Sequence, residues 1–216
     1  MQLHWHRRNL RSYPNPALTT ALTGAKENGS RAVSLFVLDE AILSRADGLG
    51  VAFMLGSLRA LRDWYQHHGS DIVIRHGDPT DVVGCIAEAI DADRVVWNSD
   101  HSRLARGRDR AVRRDLTRVG VAHTSVASER PTETDAAAAP FPDVEAYLAD
   151  PNALGIETGT VPRLSALGGA YDSAPLAVGT ASARKQLRAL SNGTTYRECD
   201  DSGINATQRE TAGSQV

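Results

Sequence analysis

At 216 residues the chain has room for one ordinary domain plus an appendage, and 41% hydrophobic residues are enough for a sizeable core. A net charge of −2 and a pI near 6.4 exclude a protein drawn as a whole to nucleic acid or to anionic membrane. Cys85 and Cys199 lie far apart with no ligand spacing, no apolar run approaches the roughly 20 residues of a membrane span, and early arginines exclude a signal peptide. The reading is a soluble cytoplasmic chain without disulfides.

The first eleven residues, Met1-Gln2-Leu3-His4-Trp5-His6-Arg7-Arg8-Asn9-Leu10-Arg11, open on a short strand carried by Leu3 and Trp5. The strand runs straight into three arginines. Asn15-Pro16 then starts a helix: Pro16 suits the first helical position, where its missing N–H would be unpaired anyway, and Asn15 is a good cap. After the turn Asn28-Gly29-Ser30, the run Ala32-Val33-Ser34-Leu35-Phe36-Val37-Leu38 is apolar almost without a break, as in a strand buried on both faces. Asp39-Glu40 closes it.

A loop through Gly48-Leu49-Gly50 leads to a helix over 51–67, with Val51, Met54, Leu55, Leu58, Leu61 and Tyr65 at helical spacing and Gly69 as its stop. The pattern then repeats. A third strand over 71–75 ends at Gly77-Asp78-Pro79, and Thr80 or Asp81 caps a helix through Ile90. A strand over 94–98, a helix over 103–119 and a strand over 121–126 complete the series. Short strands alternating with long helices define an α/β fold with a doubly wound, five-stranded parallel sheet, Rossmann-like or flavodoxin-like. Spacing alone does not choose the strand order.

Beyond Ser128 the alternation stops. Pro131 to Pro142 reads as a surface linker, Val144-Glu145-Ala146-Tyr147-Leu148 as one or two helical turns, and 182–190 as a helix. Residues 1–128 are thus expected to form the compact α/β domain, 129–199 an irregular, partly helical connector that is loosely held, and 200–216 a disordered tail.

Trp5-His6-Arg7-Arg8-Asn9-Leu10-Arg11 followed by Asn15 resembles the opening of the DNA photolyase/cryptochrome family. Phe36-Val37-Leu38-Asp39, Gly77-Asp78-Pro79, Trp97-Asn98-Ser99-Asp100-His101 and the arginine-rich stretch after Arg103 follow in the family's order. The His at position 6 and parts of the connector, 161–168 and 179–197, are most similar to haloarchaeal deoxyribodipyrimidine photolyases. Asn9, Pro14 and His101 depart from the pattern. The resemblance implies the N-terminal antenna domain, which harvests light for flavin-dependent repair of ultraviolet pyrimidine dimers. It also implies that the helical domain holding FAD and the flipped-out lesion is missing, so that this chain alone is expected to repair nothing.

The implied ligand is an antenna chromophore, namely a deazaflavin, folate or flavin, seated where strands 1, 2 and 4 end. Arg8, Arg11, Phe36, Leu38, Asp39, Asp100 and His101 are the candidate lining residues. The alternative is that Arg8 or Arg11 pairs with Asp39 or Asp100 only to hold loops. A separately encoded flavin domain is the implied partner, with DNA reached only indirectly. The competing readings are a stand-alone nucleotide- or flavin-binding module and a non-functional gene remnant. His4 and His6 share a strand face without a ligand set, Cys85 reads as core filler, and Arg103, Arg106, Arg110, Arg113 and Arg114 read as a solvated helix face opposite Leu104, Val112, Leu116 and Val119.

Overall fold

A computed structural model describes residues 1–100, 102–127 and 141–167. Five parallel strands, β1 (Gln2–His6), β2 (Ala32–Leu38), β3 (Ile72–His76), β4 (Arg94–Asn98) and β5 (Ala122–Val126), form one sheet in the order β3-β2-β1-β4-β5. This is the Rossmann order. The chain winds one way from β1 to β3, then crosses back to place β4 on the other side of β1. The reversal opens a crevice beyond the carboxyl ends of β1 and β4. In the β1 register Trp5 stands beside both Leu35 and Trp97, and all seven residues of β2 are buried.

The helices are α1 (Pro16–Glu27), a short α2 (Glu40–Leu43), α3 (Gly48–His67), α4 (Pro79–Ala89), α5 (Arg103–Arg118) and a short α6 (Val144–Tyr147). Strand alternation sorts the core into two layers. Leu3, Trp5, Leu35, Val37, Val95 and Trp97 pack against Val83, Ile86, Val112 and Leu116 of α4 and α5. Phe36, Leu38, Ile72, Ile74 and Val96 pack against Leu18 and Leu22 of α1 and Leu55 and Leu58 of α3. The expected cap is in place on α1, where Asn15 accepts from Leu18 N–H.

Four local expectations are corrected. The cap of α4 is Asp78, not Thr80 or Asp81: Pro79 takes the first helical position and the Asp78 carboxylate accepts from Thr80 N–H at 2.8 Å. Helix α3 begins at Gly48 rather than Val51, because Asp47 accepts from Gly50 N–H and draws the Gly-Leu-Gly segment into the first turn. Cys85 is exposed, since the phase of α4 buries Val83, Gly84, Ile86 and Ala87 and turns the thiol outwards. Leu104 is exposed too; the inward face of α5 is Ala105, Asp109, Val112 and Leu116.

Residues 141–167 are not loosely held. Ala149 N–H donates to Ala32 C=O at 2.9 Å, and Ile74 N–H of the β3 edge donates to Thr158 C=O at 2.7 Å. Arg62 reaches Thr158 and Arg59 reaches the Pro162 carbonyl. Val144, Leu148 and Leu164 join the core layer of α1 and α3. Gly159 makes the close passage possible: its φ is +72°, and a Cβ there would stand 2.5 Å from the Ile74 carbonyl oxygen. The segments 168–199 and 200–216, including the expected helix over 182–190, and Cys199 lie outside the described residues.

Candidate functional site

The site grows from the alternation of β1. Leu3 and Trp5 face α4 and α5, and two residues further on the same side comes Arg7, whose side chain is only 3% exposed. Its Nη1 lies 2.7 Å from Asp109 of α5 and also donates to the Asn98 carbonyl at 3.3 Å. The same Asp109 accepts from the Trp97 indole N–H at 3.3 Å. Burial pulls the Arg7 guanidinium down from its ordinary range, aided by the nearby Arg108 charge, while Asp109 acts in the opposite direction. The guanidinium carbons of Arg7 and Arg108 lie 5.1 and 5.4 Å from the centre of the Trp5 ring. A buried pair of this kind holds because each charge has a partner; alone, either would be strongly unfavourable.

On the opposite side of β1, Gln2, His4 and His6 form a buried polar line within an otherwise apolar layer. Ser34 Oγ donates to the Tyr65 hydroxyl at 2.7 Å, and His6 Nε2 is 2.8 Å from that same oxygen. Since the phenol already accepts from Ser34, its own proton goes to His6 Nε2. The remaining imidazole proton then sits on Nδ1, facing the Asn9 carbonyl at 3.4 Å. Burial pushes the Tyr65 hydroxyl upwards and the His6 imidazole down to about 4, against the opposing pull of the Asn9 carbonyl. His4, 4.1 Å from His6 between ring centres, is pushed well down by burial and by its neighbour. Both histidines are therefore neutral near pH 7.

At the mouth of the crevice the loops after β1, β2 and β4 are tied together. Arg8 lies 3.4 Å from Asp100, joining the loops after β1 and β4. Arg108 on α5 lies 3.0 Å from Asp39, joining α5 to the end of β2. Asn98 donates to Asn15 at 2.7 Å and accepts from Ala17 N–H at 3.2 Å, fixing the start of α1 to the end of β4. Burial raises the Asp100 carboxyl, but the Ser102 N–H, Arg8 and Arg7 outweigh it and hold the group below the usual carboxylate range.

Six of the seven candidate lining residues lie among the described residues and fall into three groups. Arg8 and Asp100 meet, with Arg8 77% exposed and Asp100 9%. Asp39 is taken by Arg108 and by capping α2 through Ala41 N–H, and Arg11 Nε donates to the Pro14 carbonyl. Phe36 and Leu38 are buried in the core layer beneath α1 and α3. His101 lies outside the described residues. Sequence reading missed Arg7, Asn98, Arg108 and Asp109. A signal for Asp109 existed: it occupies an inward position in the series 105, 109, 112 and 116, where only a buried cation can accompany it.

Fold and site together define a Rossmann-type α/β domain with a charged crevice at the point where strand order reverses. A family model described as DNA photolyase matches residues 2–139, and the chain belongs to that family. A deoxyribodipyrimidine photo-lyase of Halobacterium salinarum is 46% identical over 129 residues, covering 57% of this chain and 27% of that protein. The corresponding protein of a Synechococcus species is 35% identical over 121 residues, covering 55% of this chain and 24% of its own length. The chain thus spans about a quarter of the length of these relatives, and it corresponds to the N-terminal domain of photolyases. The archaeal photolyase of Sulfolobus tokodaii, solved with two FAD molecules and the implication of a novel light-harvesting cofactor, has the same fold. The TM-score is 0.54 at 24% identity, over 58% of this chain and 29% of that one. Among the described residues no helix is long and apolar enough to cross a membrane.

Proposed function

We propose that this chain is a light-harvesting domain of a photolyase-like protein and holds a flat antenna chromophore beyond the carboxyl ends of β1, β2 and β4. The reading rests on the Arg8–Asp100 and Arg108–Asp39 pairs, which gather these loops beside the reversal of strand order. The bound group would absorb light and pass its excitation to a flavin held elsewhere. The residues present fit such a group in kind. Asp100 offers an ionised acceptor to ring N–H donors, and Arg8 offers an exposed cation. Leu49 and Phe53 near the start of α3 and Leu104 in the first turn of α5 are exposed apolar groups available to cover a ring. Phe36 and Leu38 support the site from below.

The Sulfolobus protein, solved with FAD, favours a flavin-type ring over a folate. Repair of pyrimidine dimers is proposed only in company with a flavin-bearing domain, which is the proposed partner; the proposed compartment is the cytoplasm. Fluorescence titration with deazaflavin, flavin and folate, on this chain and on Asp100→Ala, tests the reading. We expect at least tenfold weaker binding of the preferred ring to the variant. Equal affinities, or no binding at millimolar ligand, would remove the antenna role and leave the fold intact.

A further inference from the structure

Helix α5 carries seven arginines and two aspartates, a net of +5 in a chain whose total is −2. The fold sorts these charges. Asp109 is buried with Arg7, and Asp115 is held by Arg118 at 2.7 Å. Arg108 pairs with Asp39, and Arg113 donates to Ser125 with its guanidinium 5.5 Å from the Trp97 ring centre. What remains is a row of four exposed arginines, Arg103, Arg106, Arg110 and Arg114, opposite the buried face. None of the four has a hydrogen bond or ion pair among the described residues. Gly107 lies along the same row with open space above it. Residues 116–127, which lead into and form the β5 edge, contain no carboxylate.

We infer that this face of α5 is a docking surface for the phosphate backbone of duplex DNA, independent of sequence and of any lesion. At about 1.5 Å rise per residue, the row extends over roughly 16 Å with cations every 4.5–6 Å. One strand of a duplex advances about 3.4 Å per phosphate, so the row faces about five phosphates. Arginine suits them, because its planar fork meets phosphate oxygens two at a time. The row has no exposed apolar side chain within it, whereas protein partners are usually held by a buried aromatic or aliphatic anchor. That favours a polyphosphate strand over an acidic protein. The chain's net charge of −2 is an average over all residues and conceals this local excess of +5 on α5.

The test is fluorescence anisotropy of the 216-residue chain with a labelled, undamaged 20-base-pair duplex across a salt series from 50 mM. Four phosphate contacts predict a slope of log K against log salt near −3.6, since each contributes about −0.9. In Arg110→Gln/Arg114→Gln the slope should fall to about −1.8, with affinity at least tenfold lower at 50 mM salt. Arg45→Gln/Arg94→Gln removes the same charge from exposed positions elsewhere and should leave both values at wild type. The inference is overturned if this control loses as much as the α5 variant. It is equally overturned if the duplex fails to bind at 50 mM salt, or if a polyglutamate peptide binds more tightly than the duplex. Circular dichroism of all variants confirms that the helix is intact.

Discussion

Arg7 and Arg8 are neighbours in sequence and live in opposite physical regimes. Arg7 belongs to the floor of the crevice: it is enclosed, bonded to Asp109 and to the Asn98 carbonyl, and close to the Trp5 ring. Arg8 belongs to the rim, where it is mostly in water and meets Asp100 at a longer 3.4 Å. The difference arises where the chain leaves the sheet: Arg7, just past the end of β1, is still closed in by α5, whereas Arg8 is already in the exposed loop. The floor holds charges whose removal leaves something buried without a partner. The rim holds charges that can be changed without disturbing the fold and are therefore available to a ligand.

Four experiments sharpen or break this contrast. Asp109→Ala strands the Arg7 charge and the Trp97 indole N–H, and should cost about 3–5 kcal/mol by urea denaturation. A loss below about 1 kcal/mol would mean that the pair is as dispensable as one on the rim. Acid should act next most strongly, through the histidines on the other side of β1. His6 is depressed from 6.5 to about 4 and His4 is lowered too, so the unfolded chain binds more protons than the folded one between those values. Stability is then fully present above about pH 6.5 and falls as pH drops towards 4, by about 3 kcal/mol for His6. A stability profile flat between pH 7 and 4.5 would contradict their burial as neutral groups.

Asn98→Ala should cost about 2 kcal/mol, because the buried Asn15 side chain and the Ala17 N–H lose a partner together. Thermal denaturation would detect it, and no change would show that α1 is held by packing alone. Smallest of all, Arg8→Ala should shift stability by less than about 0.5 kcal/mol. A loss of several kcal/mol there would erase the distinction between floor and rim.

The fold was legible because its signals are local. A seven-residue apolar run can hardly be other than a strand covered on both faces, and Asn15-Pro16 carries its own cap chemistry. Errors arose where one residue type permits two geometries. At Asp78-Pro79 the aspartate could close a turn or open a helix, and Cys85 among valines could face either way until the phase of α4 was known. The charged crevice was legible in part at its rim: pairing of Arg8 or Arg11 with Asp39 or Asp100 is the alternative to ligand lining, and of these Arg8 meets Asp100 while Asp39 is held by Arg108. Its floor was not, since Arg7 and Asp109 lie 102 positions apart and nothing local joins them. The docking of 141–167 was hidden for a similar reason. Its decisive contacts are backbone hydrogen bonds at Ala149 and Thr158, which leave little trace in side-chain pattern.

The bond from Ile74 N–H to Thr158 C=O also has a meaning in time. Ribosomal synthesis delivers all five strands once Val126 has emerged, yet Thr158 follows roughly 30 residues later. At about 5–20 residues per second, that interval lasts roughly 2–6 s. Throughout it the outward-facing Ile74 N–H on the β3 edge lacks its carbonyl partner and is open to pairing with another nascent chain. The segment that follows the sheet thus acts as a late seal, and crowding of translating ribosomes becomes a hazard that the finished protein no longer faces.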